Sequence, residues 1–204
     1  MVKNIVITPG FLGRPEPIYS LSEIDIDESV ATYGVGLTPK NKYTSLSKKY
    51  SFGEEYLRNS HLIEMWINEE HSGLAAISFS NYELGDGDDA EIFIATLDFV
   101  ALDTKLRGKG VSSYLAEQCG YFAASAMLQH MLINNIKKCA LIFTADFESD
   151  GGERFFFNMI EFTDQALNIG AKVSKLKYTL EAETDSLQWV FSSKGPRVKR
   201  KSTK

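Results

Sequence analysis

Apolar and polar positions alternate most clearly in the middle of the chain. His61 to Asn68 (HLIEMWIN) has the two-residue period of a strand, and Glu69 to Gly73 reads as a turn. Leu74 to Tyr82 (LAAISFSNY) returns as a second strand, so the pair predicts a hairpin. Glu91 to Leu102 (EIFIATLDFVAL) is apolar on both sides, the pattern of a central strand covered on both faces. Its polar interruptions, Thr96 and Asp98, share parity with Ile94, Val100 and Leu102. All would point to one face unless a bulge intervenes.

From Val111 to about Ile136 the period changes to three and four, carried by Val111, Tyr114, Leu115, Cys119, Phe122 and Ala126, and predicts a long helix. Lys138 to Asp146 (KCALIFTAD) reads as another buried strand. Ser149 to Gly152 reads as a loop able to cap a helix, and Glu153 to Asn168 as a second helix with Gly170 at its C-terminal stop. Lys175 to Ala182 and Leu187 to Ser192 predict a closing hairpin. Before residue 61 the pattern is weak. A strand is expected at Lys3 to Thr8, then helical turns near Leu21–Val30 and Phe52–Asn59, among Gly13, Pro15, Pro17, Gly34, Gly36 and Pro39. Gly85 to Asp89 reads as a solvated acidic loop, without the spacing of a calcium-binding loop. The order of elements predicts an α/β fold: a mixed central β-sheet flanked by helices.

Length and charge add limits. The 204 residues suit one domain over 1–193, followed by a basic tail at 194–204 expected to lack structure. The net formal charge is −5, and the tail holds six Lys or Arg and no acid, which leaves the first 193 residues at −11. So acidic a body favours cationic or neutral partners, and nucleic acid is not expected. No run is long and apolar enough to span a bilayer, and no secretory pattern opens the chain, so a cytoplasmic protein with no membrane partner is expected. Cys119 and Cys139 fit buried thiols, and His61, His71 and His130 have no ligand spacing, so no metal site is expected.

The segment with chemistry in it is the junction between the long strand and the long helix. Arg107-Gly108-Lys109-Gly110-Val111-Ser112 places two glycines and two cations where a helix begins. The first turn of a helix has N–H groups with no partner, the dipole makes that end positive, and glycine lets backbone approach a phosphate closely. Ser112 and Ser113 add hydroxyls. Neither a P-loop nor a three-glycine dinucleotide fingerprint fits these residues.

This turn resembles motif A of the GNAT superfamily of N-acetyltransferases, [RQ]-x-x-G-x-[GA]. Ser112 stands where that motif has Gly or Ala, and the Pro common between strand and turn is absent. The order of elements from about residue 60 to 192 is similar as well, whereas residues 1–60 diverge. The resemblance implies an acyl-CoA-dependent N-acyltransferase, with acetyl-CoA as co-substrate and a small-molecule or peptide amine as acceptor. It implies that Arg107, Gly108, Lys109, Gly110, Val111, Ser112 and Ser113 hold the pyrophosphate. Val100, Ala101 and Leu102 would pair with the pantetheine arm. A bulge would splay the strand from its neighbour, and an N–H near Val100 would stabilise the oxyanion. Homodimers are common among such proteins.

Asp98 is the expected general base, because a carboxylate on a buried strand is costly unless it serves something. Glu91 reads as a rim residue. The family's acidic Tyr, four residues before the glycine closing the last helix, has no counterpart here, since Ala166 holds that place. Tyr178 or Tyr114 is the expected substitute, and Phe155-Phe156-Phe157 reads as core. Two other readings stay open: a CoA-binding relative without catalysis, or an unrelated α/β domain that binds another phosphorylated ligand.

Overall fold

The computed structural model describes residues 20–26, 29–38, 40–52, 59–83, 90–146, 149–184, 187–192 and 195–200. The expected strand at Lys3–Thr8 and loop at Gly85–Asp89 lie outside them. Among the described residues, nine strands form one sheet in chain order. They are β1 (Ser20–Ile26), β2 (Ser29–Leu37), β3 (Ser60–Ile67), β4 (Glu70–Glu83), β5 (Ala90–Leu102), β6 (Lys138–Ala145), β7 (Lys177–Glu183), β8 (Leu187–Ser192) and β9 (Gly195–Arg200). The helices are α1 (Tyr43–Tyr50), α2 (Ser112–Ile133) and α3 (Asp150–Ser174). β1 to β5 are antiparallel neighbours, β5, β6 and β7 run parallel, and β7 to β9 are antiparallel again. The fold is therefore the mixed α/β sheet expected from the sequence.

Several expectations change. Leu21–Val30 holds strands rather than a helical turn. A helix not expected from the pattern, α1, ends at Tyr50, and the turn expected near Phe52–Asn59 lies mostly at residues 53–58, outside the described ones. Within the basic end, Gly195–Arg200 forms β9, paired with β8, where no structure was expected; residues 201–204 lie outside the described ones.

The length of α3 changes too, since the helix runs through Gly170 to Ser174. Gly170 does not stop it. A Cβ there would collide with Leu128 Cδ1 of α2, so the glycine lets two helices touch. Gly120 of α2 does the same further along this contact, where a Cβ would meet Met159 O at 2.6 Å. Thr163 Oγ1 donates to Gly120 O across this contact at 3.1 Å. The stop is Lys175, in left-handed conformation.

The two helices cover one face of the sheet. Phe93, Ala95 and Leu97 of β5, and Cys139, Leu141 and Phe143 of β6, pack beneath them with Leu115, Cys119, Phe156 and Met159. Burial pushes both thiols up, Cys139 to about 12, so neither is a ready nucleophile. The other face carries α1 over Leu62, Leu74 and Ala76, with Leu46 of α1 buried against them and Phe99 at the margin.

Candidate active site

β5 organises the site because its two neighbours treat it differently. Along β6 the parallel pairing runs from Ala90↔Lys138 to Leu97↔Ala145 and ends there. Along β4 the pairing continues to Gly73↔Leu102. The last five residues of β5 therefore have β4 on one edge and, among the described residues, no strand on the other. A row of backbone N–H and C=O groups left open this way accepts an added strand or an extended ligand.

The divergence coincides with a bulge. Ala76 pairs with Phe99 and Ile77 with Leu97, so Asp98 is the extra residue. The bulge reverses parity. Before it, Phe93, Ala95 and Leu97 face α2; after it, Val100 and Leu102 do. Thr96 and Asp98 therefore do not share a face with Val100 and Leu102, as unbroken alternation would have it. Asp98 points to the α1 side, where Ser60 Oγ donates to its Oδ2 at 2.7 Å and Ser78 Oγ to its Oδ1 at 3.1 Å. Burial raises the Asp98 carboxyl above its usual value, and the two serine bonds oppose that rise without cancelling it. A carboxylate that is oriented, half-buried and reluctant to ionise is a proton acceptor of improved strength.

Beyond Leu102 the chain makes a short 3-10 turn, Thr104–Leu106, capped by Asp103 Oδ1 accepting from Lys105 N at 3.0 Å. Gly108 and Gly110 then take φ of 79° and 73°, where a side chain is strained. A Cβ on either would meet nothing within 4 Å, so their conformation rather than crowding calls for glycine, and the space before them is open.

The N–H groups of Gly108, Gly110 and Val111 donate to no acceptor among the described residues. α2 starts with no side-chain cap and no acid in its first turn. α3 shows the contrast: Ser149 caps it through Gly152 N at 3.2 Å, and Asp150 and Glu153 lie in its first turn. The open stretch of β5 edge thus leads into a helix end left bare for an anion.

The structure therefore brings together Asp98, Val100, Ala101, Leu102, Arg107, Gly108, Lys109, Gly110, Val111 and Ser112 along one continuous path. Ser113 is on it too, but its Oγ donates to Gly110 O at 2.7 Å and braces the turn. Tyr178 is not on it. Its strand position pairs through Cys139 with Glu91, eleven residues before Leu102. At about 3.3 Å per residue that is roughly 35 Å from the turn. Its hydroxyl donates to Asp164 Oδ1 at 3.0 Å, and burial and that carboxylate hold its pKa far up. The Tyr114 ring packs on Tyr33 at 4.7 Å.

Glu91, expected at the rim, is instead buried and accepts from Asn81 Nδ2 at 2.6 Å, with His130 Nε2 at 3.0 Å. The sequence pattern also gave no sign of Ser60 and Ser78. They stand opposite one another in β3 and β4, a juxtaposition set by register and visible in no local pattern.

The sequence matches no protein-family model and no curated protein. Among solved structures it is similar to the toxin AtaT in complex with acetyl-methionyl-tRNAfMet: 11% identity, TM-score 0.40, 62% of this chain over 85% of that one. A mutant AtaT bound to its antitoxin's C-terminus and acetyl-CoA gives 12%, 0.40, 62% and 82%. An aminoglycoside acetyltransferase from an uncultured soil metagenomic sample, in complex with sisomicin, gives 11%, 0.34, 64% and 86%. Likenesses this distant do not assign an activity, and the function of this chain rests on its own geometry.

Proposed function

We propose that the chain is an acyl-CoA-dependent N-acyltransferase acting on an amine. One observation carries this reading: β5 parts from β6 at Leu97, and its open edge ends in the bare N-terminus of α2. An extended thiol-terminated arm with a pyrophosphate at one end matches that path. The pyrophosphate would lie on the N–H groups of residues 108–112, between Arg107 and Lys109. The pantetheine amides would bond the edge of Val100 to Leu102. The thioester would then reach the point of divergence, beside Asp98.

There the amine nitrogen attacks the thioester carbon, and an N–H near Val100 stabilises the developing oxyanion. Asp98 takes the proton the nitrogen must lose, directly or through one water. The C–S bond breaks, the amide forms, and the thiolate leaves. A CoA thiol is only weakly basic, so it can leave without a dedicated acid. This fits the remote place of Tyr178.

Calorimetric titration with acetyl-CoA tests the reading, using the wild type and Gly110→Glu. The variant puts bulk and negative charge where the pyrophosphate should lie. Micromolar binding by the wild type, lost in a folded variant, is the expected result. A folded wild type that does not bind acetyl-CoA would overturn the reading, and turnover with an amine panel distinguishes an enzyme from a silent binder.

A further inference from the structure

On the sheet face turned away from α2 and α3, one transverse row is polar over five strands. Ser60 pairs with Ser78, Ser78 with Thr96, Thr96 with Thr144, and Thr144 with Glu183. Residues opposite one another across a ladder share a face, so all five side chains project together. The row crosses the sheet one residue before β5 and β6 part, and Asp98 bulges beside it. Thr96 Oγ1 and Thr144 Oγ1 share a hydrogen bond of 2.7 Å, and one bond leaves each hydroxyl with capacity to spare.

The next row on the same face runs Ser80, Ile94, Ile142, Glu181. A line of hydroxyls thus borders an apolar floor, with Asp98 on one side and Glu181 and Glu183 on the other. Thr96, Thr144, Ile94, Ile142 and both glutamates are only half-buried. Among the described residues neither glutamate has a cationic partner.

The base fixes the side from which the nitrogen arrives. Asp98 projects to this face, and the opposite face is closed by α2 and α3, so the acceptor lies along the hydroxyl row. If the acyl-CoA reading holds, we infer that the acceptor is a hydroxylated polyamine of the amino-sugar kind. One amine is delivered to Asp98, hydroxyls bond the Thr96–Thr144 row, and a second ammonium reaches Glu181 and Glu183. The Asp98 carboxylate is held over β4 by Ser78 and Ser60, three strands from Glu183. At about 4.8 Å per strand the two carboxylates stand roughly 14 Å apart, and a hydrogen bond of about 3 Å at each end leaves two amines roughly 8–10 Å apart. A site whose polar groups expect partners discriminates strongly against ligands that lack them.

The test follows thiol release from acetyl-CoA with three acceptors. Kanamycin carries hydroxyls and amines at both ends, glucosamine has hydroxyls and one amine, and spermidine has amines and no hydroxyl. The expected order puts kanamycin well above the other two in kcat/KM. Replacing both glutamates (Glu181→Gln with Glu183→Gln) should raise KM for kanamycin about tenfold, the loss of one modest ionic contact. It should leave KM for glucosamine and acetyl-CoA affinity unchanged. Thr144→Val should weaken the two hydroxylated acceptors and spare spermidine. Equal use of spermidine or glucosamine, or an unaltered kanamycin KM in the double variant, would overturn the inference. So would acetyl-CoA binding without turnover of any of the three, which leaves the acyl-CoA reading standing. Failure to bind acetyl-CoA overturns both.

Discussion

Asp98→Asn should move activity and stability in opposite directions. The substitution keeps shape and removes the charge. As proton acceptor, Asp98 is worth roughly 100- to 10,000-fold in rate, and that factor should disappear from kcat. Stability follows from the direction of the pKa. The folded carboxyl is raised above its usual value, mainly by burial, so the folded state holds its proton more tightly than the unfolded state does. Its contribution to stability is therefore present at low pH and lost as pH rises through the folded pKa. Above the folded pKa the ionised Asp98 opposes folding, and there the Asp98→Asn protein should match or exceed the wild type in melting temperature. Ser60→Ala removes the 2.7 Å bond to the same carboxylate, worth about 1.5–3 kcal/mol for a charged acceptor. It should also push the Asp98 pKa higher still and move the acid limb of the kcat/KM profile to higher pH. Melting curves and pH–rate profiles of both variants provide the check. An Asp98→Asn protein that melts several degrees lower and turns over normally would show that the carboxylate is structural and refute its role as base.

Other outcomes follow from the helix and strand contacts. Gly120→Ala must push a Cβ to within 2.6 Å of Met159 O and 3.0 Å of Thr163 N, backbone atoms that cannot swing aside. Overpacking of this kind costs about 1–3 kcal/mol, a few degrees in melting temperature for a chain of this size. Gly151→Ala, whose nearest neighbour is Ser149 Oγ at 3.8 Å, should cost nothing in the same assay. If the two variants melt alike, the α2–α3 crossing is looser than these distances require. Tyr178→Phe gives up the 3.0 Å bond to Asp164 and should lose about 1 kcal/mol of stability with kcat unchanged. A fall in kcat at constant stability would return Tyr178 to the chemistry.

The central path was legible because its signals are local. An apolar run, two glycines and a long helical period are each read from neighbouring residues, and β5, the turn and α2 lie where those patterns put them. Signals with two meanings misled. Gly170 has the composition of a helix stop, but it serves a helix contact with a partner 42 residues away. Gly34 and Gly36 suggested irregular chain where β2 runs straight through. The setting of Asp98 was half visible: its strand and a bulge were expected, but the serines that hold it are 38 and 20 residues distant. The Ser60-to-Glu183 row could not be read at all, since it exists only once five strands are in register.

The sheet's strand order has a consequence for how the protein is made. Among the described residues each strand, from β1 to β9, pairs only with its neighbours in the chain. A chain leaving the ribosome can therefore add one strand at a time to an existing edge, without waiting for a distant segment. The β1–β5 meander can form while β6 is still being synthesised, with the edge of β5 exposed along its whole length. Only when α2 and β6 emerge is the lower part of that edge sealed, and what remains open is the stretch after Leu97 proposed as the site. The path proposed for the ligand is thus the stretch of the β5 edge that, among the described residues, β6 leaves unpaired.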